Sequence, residues 1–186
     1  MRVDDEYRMI QGRLDAVELE LRVLRDIEEI KKLRALFWLA CDGDILHGPT
    51  HHPEEIADLF TEDGSWTMGG VERDEISWPD SGPHGRAEIL NWFRETQRRI
   101  SFAMHFGVTP IINVNGDQAS GQWKLFAAML RGHEALWVGS IYNDTYLRTA
   151  HGWRIQTARV SVGFNTPFSE GWGETRYVPL PHEFPA

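Results

Sequence analysis

The chain has 186 residues, 41% of them hydrophobic, which fits one domain with a substantial core. Its formal net charge of −9 and pI near 5.3 exclude the basic stripe that a nucleic-acid partner needs and disfavour an anionic membrane surface. The opening MRVDDEYRM lacks the apolar segment of a secretory signal, and no apolar run reaches the roughly 18–20 residues of a membrane span, so a cytoplasmic protein is expected.

The first third reads as helix. Ile10, Leu14, Val17, Leu21 and Leu24 step by four, three, four and three, a heptad stripe too short for a free coiled coil and suited to packing on the domain or on a second subunit. Ile27, Ile30, Leu33, Phe37 and Ala40 carry the stripe onward on a shifted face, and Gly43 ends it. Cys41, the single cysteine, falls in this apolar pattern and reads as a buried thiol. After the polar loop HGPTHHPEE, Pro53 with Glu54 and Glu55 opens a short helix. SWTM follows as a strand, residues 69–84 as a long loop, and Arg86 to Arg99 as a helix with Ile89, Trp92 and Phe93 on its apolar side.

The remainder is strand-like. Met104 to Val114 is the first strand, with a bulge or bend expected at Pro110. Asn115-Gly116 is a hairpin signal, answered by Ala119 to Leu130. Trp137 to Leu147 and Trp153 to Gly163 follow, joined at His151-Gly152, and an irregular tail is expected over 164–186. Helices first and then an antiparallel meander define an α+β domain, in which helices laid across a strongly bent sheet leave a cavity. The expectation is one domain over 1–186, with 1–25 as a helical arm. The eight tryptophans are an excess that core packing mostly explains, with some free to line a pocket for a planar, hydrophobic ligand.

The segments IEEIKKLRALFWLACDGD, EEIADLFTEDGSW, HGRAEILNWF, MHFGVTPIINVNGDQASGQWKL and HGWRIQTARV resemble the SnoaL-like branch of the nuclear transport factor 2-like superfamily. The likeness runs over roughly residues 26–163 and is nearest in style to the bile-acid 7-alpha dehydratases, more distantly to scytalone dehydratases and hexachlorocyclohexane dehydrochlorinases. It implies a cone-shaped α+β barrel with a bent antiparallel or mixed sheet around a hydrophobic pocket. It also implies a histidine base on the first long strand, His105, partnered by the aspartate that ends the long helix, Asp42. Two helper groups of the bile-acid enzymes are replaced: their tyrosine falls at Phe37 and their second aspartate at Ala127. Their last-strand arginine falls at Ser161, two residues after Arg159.

The residues themselves bear on each position. A histidine titrates near neutral pH, and a carboxylate can hold its tautomer. Asp44 rivals Asp42, but Phe37, Leu39, Ala40 and Cys41 set Asp42 against apolar neighbours. Strand alternation puts His105, Gly107 and Thr109 on one face, with Gly107 leaving room beside the imidazole. Arg159 shares a face with Ile155 and Thr157 and would point inward as a third catalytic group, a rim salt bridge being the alternative. Trp38, Trp123, Leu125 and Ala127 are candidates for the pocket wall, and Tyr142 or Asn143 for a hydrogen bond, the choice depending on register. His47, His51 and His52 match no zinc spacing, His84 reads as a loop residue, and neither a metal nor a cofactor is expected.

The reading is a cofactor-independent lyase. His105 removes a proton from a small aromatic or polycyclic molecule, and water or a small carbonyl such as formaldehyde departs. An isomerase or cyclase, a non-catalytic binding module and a dioxygenase small subunit are the alternatives. A homo-oligomer is expected, a trimer before a dimer.

Overall fold

The computed structural model describes residues 3–44, 48–70 and 80–169. Trp78, Trp172 and His47 lie outside them, as does the expected tail beyond Ser169. Helix α1 spans Val3–Asp42, α2 Pro53–Asp58 and α3 Arg86–Arg99. Strands β1 (Phe60–Gly70), β2 (Ile100–Asn115), β3 (Gln118–Arg131), β4 (Glu134–Thr149) and β5 (Gly152–Pro167) form one sheet in the order β1-β5-β4-β3-β2. β2 to β5 are the expected antiparallel meander, and β1 joins β5 in parallel, so the sheet is mixed.

The two apolar stripes of the first third belong to one 40-residue helix. Up to Arg25 it is an arm whose apolar side chains lie open in the single chain; Ile10, Leu14 and Leu24 are about half exposed. From Ile30 the stripe Ile30, Leu33, Phe37, Cys41 is buried against the sheet. Asp26 marks the change. Its buried carboxylate accepts from Arg148 (2.5 Å) and from Trp153 Nε1 (3.2 Å), fixing the arm where it meets the domain.

The strands are longer than their sequence signals because pairing continues through residues with weak strand preference. β5 runs to Pro167, four residues into the stretch expected to be irregular. Two irregularities direct side chains. β2 shifts register between Val108 and Ile111, with Thr109 at φ +50°, next to the proline where a bend was expected. Between β4 and β5 the register steps from Thr145↔Thr157 to Tyr146↔Ile155, leaving Gln156 as an extra residue. That bulge reverses the alternation, so Ile155 and Ala158 both point into the core. The register also lays His105, Ala127, Val138 and Asn165 in one row across the sheet.

Candidate active site

The site begins at the C-terminal end of α1. Gly43 stands at φ +65°, and a Cβ there would come within 2.3 Å of the Pro49 carbonyl, so both backbone and space require glycine. The chain then doubles back. His51 N–H donates to the Cys41 carbonyl (3.1 Å) and His52 N–H to that of Ala40 (2.8 Å), satisfying carbonyls that the helix end leaves open. Asp42 is thereby held against β2, an edge strand.

One oxygen of Asp42 serves two donors of one residue. Oδ1 accepts the main-chain N–H of His105 at 3.0 Å and meets Nδ1 of its ring at 2.5 Å. The side chains are 11% and 6% exposed, so the pair is shielded from bulk water. A carboxylate at Nδ1 holds the proton on that nitrogen and leaves Nε2 with its lone pair. The helix-end carboxylate that macrodipole arguments disfavour has its compensation here.

His105 lines a cavity of about 150 Å³ enclosed by the sheet, α1 and α3. Phe37, Trp66, Trp92 and Phe93 give it aromatic walls, with Leu125, Val160 and Val162 along the sheet. Tyr142 adds a phenol that burial pushes well above its usual range, so it stays protonated. The Cys41 thiol, also on the wall, is pushed up by burial in the same way and is no nucleophile. Five of the lining residues each carry a buried polar atom with no protein partner: Trp66 Nε1, Ser140 Oγ, Asn165 Oδ1, Arg131 Nη1 and His51 Nδ1. Arg131 follows Ala127, the strand partner of His105, by four residues, about 13 Å along β3 at roughly 3.3 Å per residue.

Of the residues singled out in the sequence, His105, Phe37, Leu125 and Tyr142 line the cavity, and Asp42 stands behind His105, bonded to its ring. Trp38, Trp123 and Ala127 are buried in the core beside it. Trp38 packs edge-on to Trp123 (5.3 Å), and Trp123 Nε1 donates to Tyr146. Gly107 does not open space for the imidazole. The Trp38 ring fills that space, and a Cβ on Gly107 would lie 2.0 Å from it. Arg159 does not point inward: the bulge at Gln156 turns it out, where it is 62% exposed and pairs with Asp80 at 2.5 Å. Ser161 lies on the same outward alternation and is absent from the cavity wall. Asn143 also faces out, accepting from Gln122 Nε2 across β3 (2.9 Å), while its neighbour Tyr142 faces in.

His51 was visible in the sequence only as part of a histidine-rich loop. His52 turns away to Glu55 (3.2 Å), and His51 alone enters the cavity, 4% exposed and stacked on Phe93 at 5.8 Å. Burial, then the nearby His105 and His52, pushes it down to about 3, so it is neutral at physiological pH. Ser140 carried a usable signal, since alternation along Val138, Ser140 and Tyr142 puts it on the inner face. Arg131 and Asn165 sit at strand ends, where facing depends on register.

The chain belongs to the SnoaL-like domain family, whose model it matches over residues 22–159. The fold is NTF2-like, and solved structures share it. A hexachlorocyclohexane dehydrochlorinase of Novosphingobium barchaimii is 16% identical, with a TM-score of 0.64, covering 87% of this chain and 99% of its own. A candidate scytalone dehydratase of Novosphingobium aromaticivorans is 17% identical, with a TM-score of 0.65 and coverage of 86% and 97%. A candidate aromatic ring hydroxylase from the same organism is 20% identical, with a TM-score of 0.63 and coverage of 77% and 94%. Among the described residues no helix is long and apolar enough to cross a membrane.

Proposed function

We propose that the protein is a cofactor-independent lyase of the cytoplasm that acts on an aromatic or polycyclic small molecule. The carrying observation is the Asp42–His105 pair, 2.5 Å apart, with His105 at the wall of an apolar cavity. Asp42 holds the imidazole with Nε2 unprotonated, and Nε2 takes a proton from a substrate carbon. Asp42 then offsets the charge that appears on the ring. Water or a small carbonyl leaves, and the polar residues Ser140, Asn165 and Arg131 on the cavity lining suit a substrate with oxygen at more than one place. The dehydrochlorinase and the candidate dehydratase, which share the fold, perform or are named for eliminations. Proton transfer without loss of a group would make the same site an isomerase or cyclase.

The test is incubation of the purified protein in D2O with β-hydroxy ketones on aromatic and polycyclic frames. Loss of water and deuterium uptake next to the carbonyl are expected from the wild type, and neither from His105→Ala. Ligands bound by both proteins and turned over by neither would support the binding-module reading. A dioxygenase small subunit is a further reading. Its support is the fold shared with the candidate ring hydroxylase and an apolar outer sheet face, where Phe106, Val108, Ile111 and Ile141 are exposed. It requires a large catalytic chain to copurify.

That outer face and the open stripe of α1 also support a homo-oligomer, and the likeness to the dehydratases favours a trimer over a dimer. Sedimentation is expected to give a multiple of the 21.4 kDa chain mass, and a monomer at micromolar concentration would refute this.

A further inference from the structure

We infer that His51 is the hydrogen-bond donor of the site, offering its Nε2 proton to a substrate oxygen, and that the substrate therefore carries a carbonyl beside the carbon from which His105 takes the proton. This rests on the reading of His105 as the base and adds the second half of the reaction.

The backbone gives the first ground. His51 stands at φ +57°, a left-handed conformation that a non-glycine residue adopts only where its surroundings impose it. They do so on every side. Its N–H is bonded to Cys41 of α1, its carbonyl accepts from Gln97 of α3 (2.6 Å), and Thr50 before it donates to the Ile100 carbonyl. Three elements spend contacts to put one imidazole against the cavity, stacked on Phe93.

The ring gives the second. Nδ1 is buried with no partner, so the nitrogen available to a molecule in the cavity is Nε2. A proton on Nδ1 would bury an unpaired donor, whereas a proton on Nε2 leaves only a lone pair buried and aims the donor at the ligand. The ring is also held neutral, pushed down to about 3 chiefly by burial. A neutral imidazole N–H can polarise a carbonyl without giving up its proton. As the base, His105 has the opposite role, with its Nδ1 turned to Asp42 and its Nε2 as acceptor. On that reading one cavity has a proton acceptor, His105, and a hydrogen-bond donor, His51.

The step balances without another reactant. The C–H proton moves to His105 Nε2, the C–H electron pair becomes a C=C bond, and the carbonyl π pair moves to oxygen, which His51 Nε2–H stabilises. When the C=O bond reforms, the C=C pair shifts to expel a hydroxyl from the neighbouring carbon. That hydroxyl takes the proton from His105 and leaves as water.

Two measurements test this. Nitrogen-15 spectra of histidine-labelled protein, assigned with His51→Phe, are expected to show the His51 ring protonated on Nε2; protonation on Nδ1 would overturn the inference. Binding of 2-acetylnaphthalene is to be compared with that of 2-ethylnaphthalene. The wild type is expected to prefer the ketone by roughly tenfold, the worth of one net hydrogen bond. His51→Phe, which keeps the stacking, is expected to lose that preference, and His51→Gln, which keeps an N–H donor, to retain part of it. An unchanged preference in His51→Phe, or no preference in the wild type, would refute the donor role. His105→Ala separates the two readings. It is expected to keep the ketone preference, so a failure of His105 as base leaves the His51 result standing, and the reverse.

Discussion

The Asp42–His105 pair and the Arg34–Asp144 pair both join α1 to the sheet away from bulk water, yet only the first opens on the cavity. Arg34 is fully buried. Its Nη2 donates to Asp144 Oδ1 at 3.2 Å, and its Nε lies 3.1 Å from Oδ2. Tyr146 donates to the same carboxylate at 2.7 Å and receives Trp123 Nε1 at 2.9 Å. The face of the guanidinium lies over Phe37 and Tyr142, 4.4 and 4.3 Å from their centroids. Protein groups surround this pair. The other pair uses one carboxylate oxygen twice on a single residue and leaves a ring nitrogen for something else. Burial of an ion pair is therefore not the mark of a site here; an uncommitted atom facing a cavity is.

The comparison breaks hardest at His105. His105→Ala is expected to lower kcat by about 10²–10⁴-fold, the range of a lost general base, with KM little changed because the aromatic walls remain. Asp42→Asn keeps the imidazole but loses its orientation and charge compensation, so a smaller loss in kcat is expected. Steady-state kinetics on a ketone substrate checks both. Arg34→Met is expected to act on stability instead, costing about 3–5 kcal/mol in urea unfolding, because it leaves the Asp144 carboxylate buried without its cation. The double variant Arg34→Met, Asp144→Leu is expected to recover most of that loss. If Arg34→Met left stability unchanged, the contrast between the pairs would collapse.

His51 is a third case, a buried ionisable ring with no ion-pair partner, and pH exposes it. Its folded value is about 3, against an ordinary histidine value near 6.5. Above about 6.5 both folded and unfolded chains hold the ring neutral. As pH falls below that, the unfolded chain gains a proton that the folded chain refuses, so stability is lost. The slope from this one group is at most about 1.4 kcal/mol per pH unit, continuing towards pH 3. Urea midpoints at pH 7, 6 and 5 are expected to fall faster for the wild type than for His51→Gln. Parallel falls would mean that the ring protonates in the folded state.

Legibility in the sequence followed the same division. Asp42 and His105 were readable because Asp42 ends the long helix just before Gly43, His105 lies on the first long strand, and the family likeness placed them opposite one another. Arg159 and Ser161 were misplaced by one bulged residue, Gln156, since a single insertion reverses every later side chain on a strand. Asn143 and Tyr142 differ by one position, and only the β3–β4 register decides which faces in. His51 had no local signal. Its place depends on α1 ending at Gly43, on the chain doubling back, and on bonds to Cys41 and Gln97, none of which a residue pattern encodes. Gly107 misled in the other direction, because the same absence of a side chain that could widen a pocket instead admits an indole.

Phe37 lies between the cavity and the Arg34 pair and gives the smallest expected effect. It lines the cavity on one side and lies under the Arg34 guanidinium on the other, with Phe60 and Phe93 edge-on at 6.0 Å. Phe37→Tyr adds the hydroxyl that the bile-acid enzymes were expected to carry at this place. A partnerless hydroxyl among these rings costs about 1–3 kcal/mol, and one that reaches a cavity ligand costs less. Tyr142 already brings a protonated phenol to the same cavity, so a second is expected to change kcat by less than about tenfold in either direction. Urea unfolding and kcat, measured on one preparation, distinguish the sides. Lost stability with unchanged kcat assigns the new hydroxyl to the buried Arg34 side. Unchanged stability with raised kcat assigns it to the substrate and makes Phe37 the position that limits the rate.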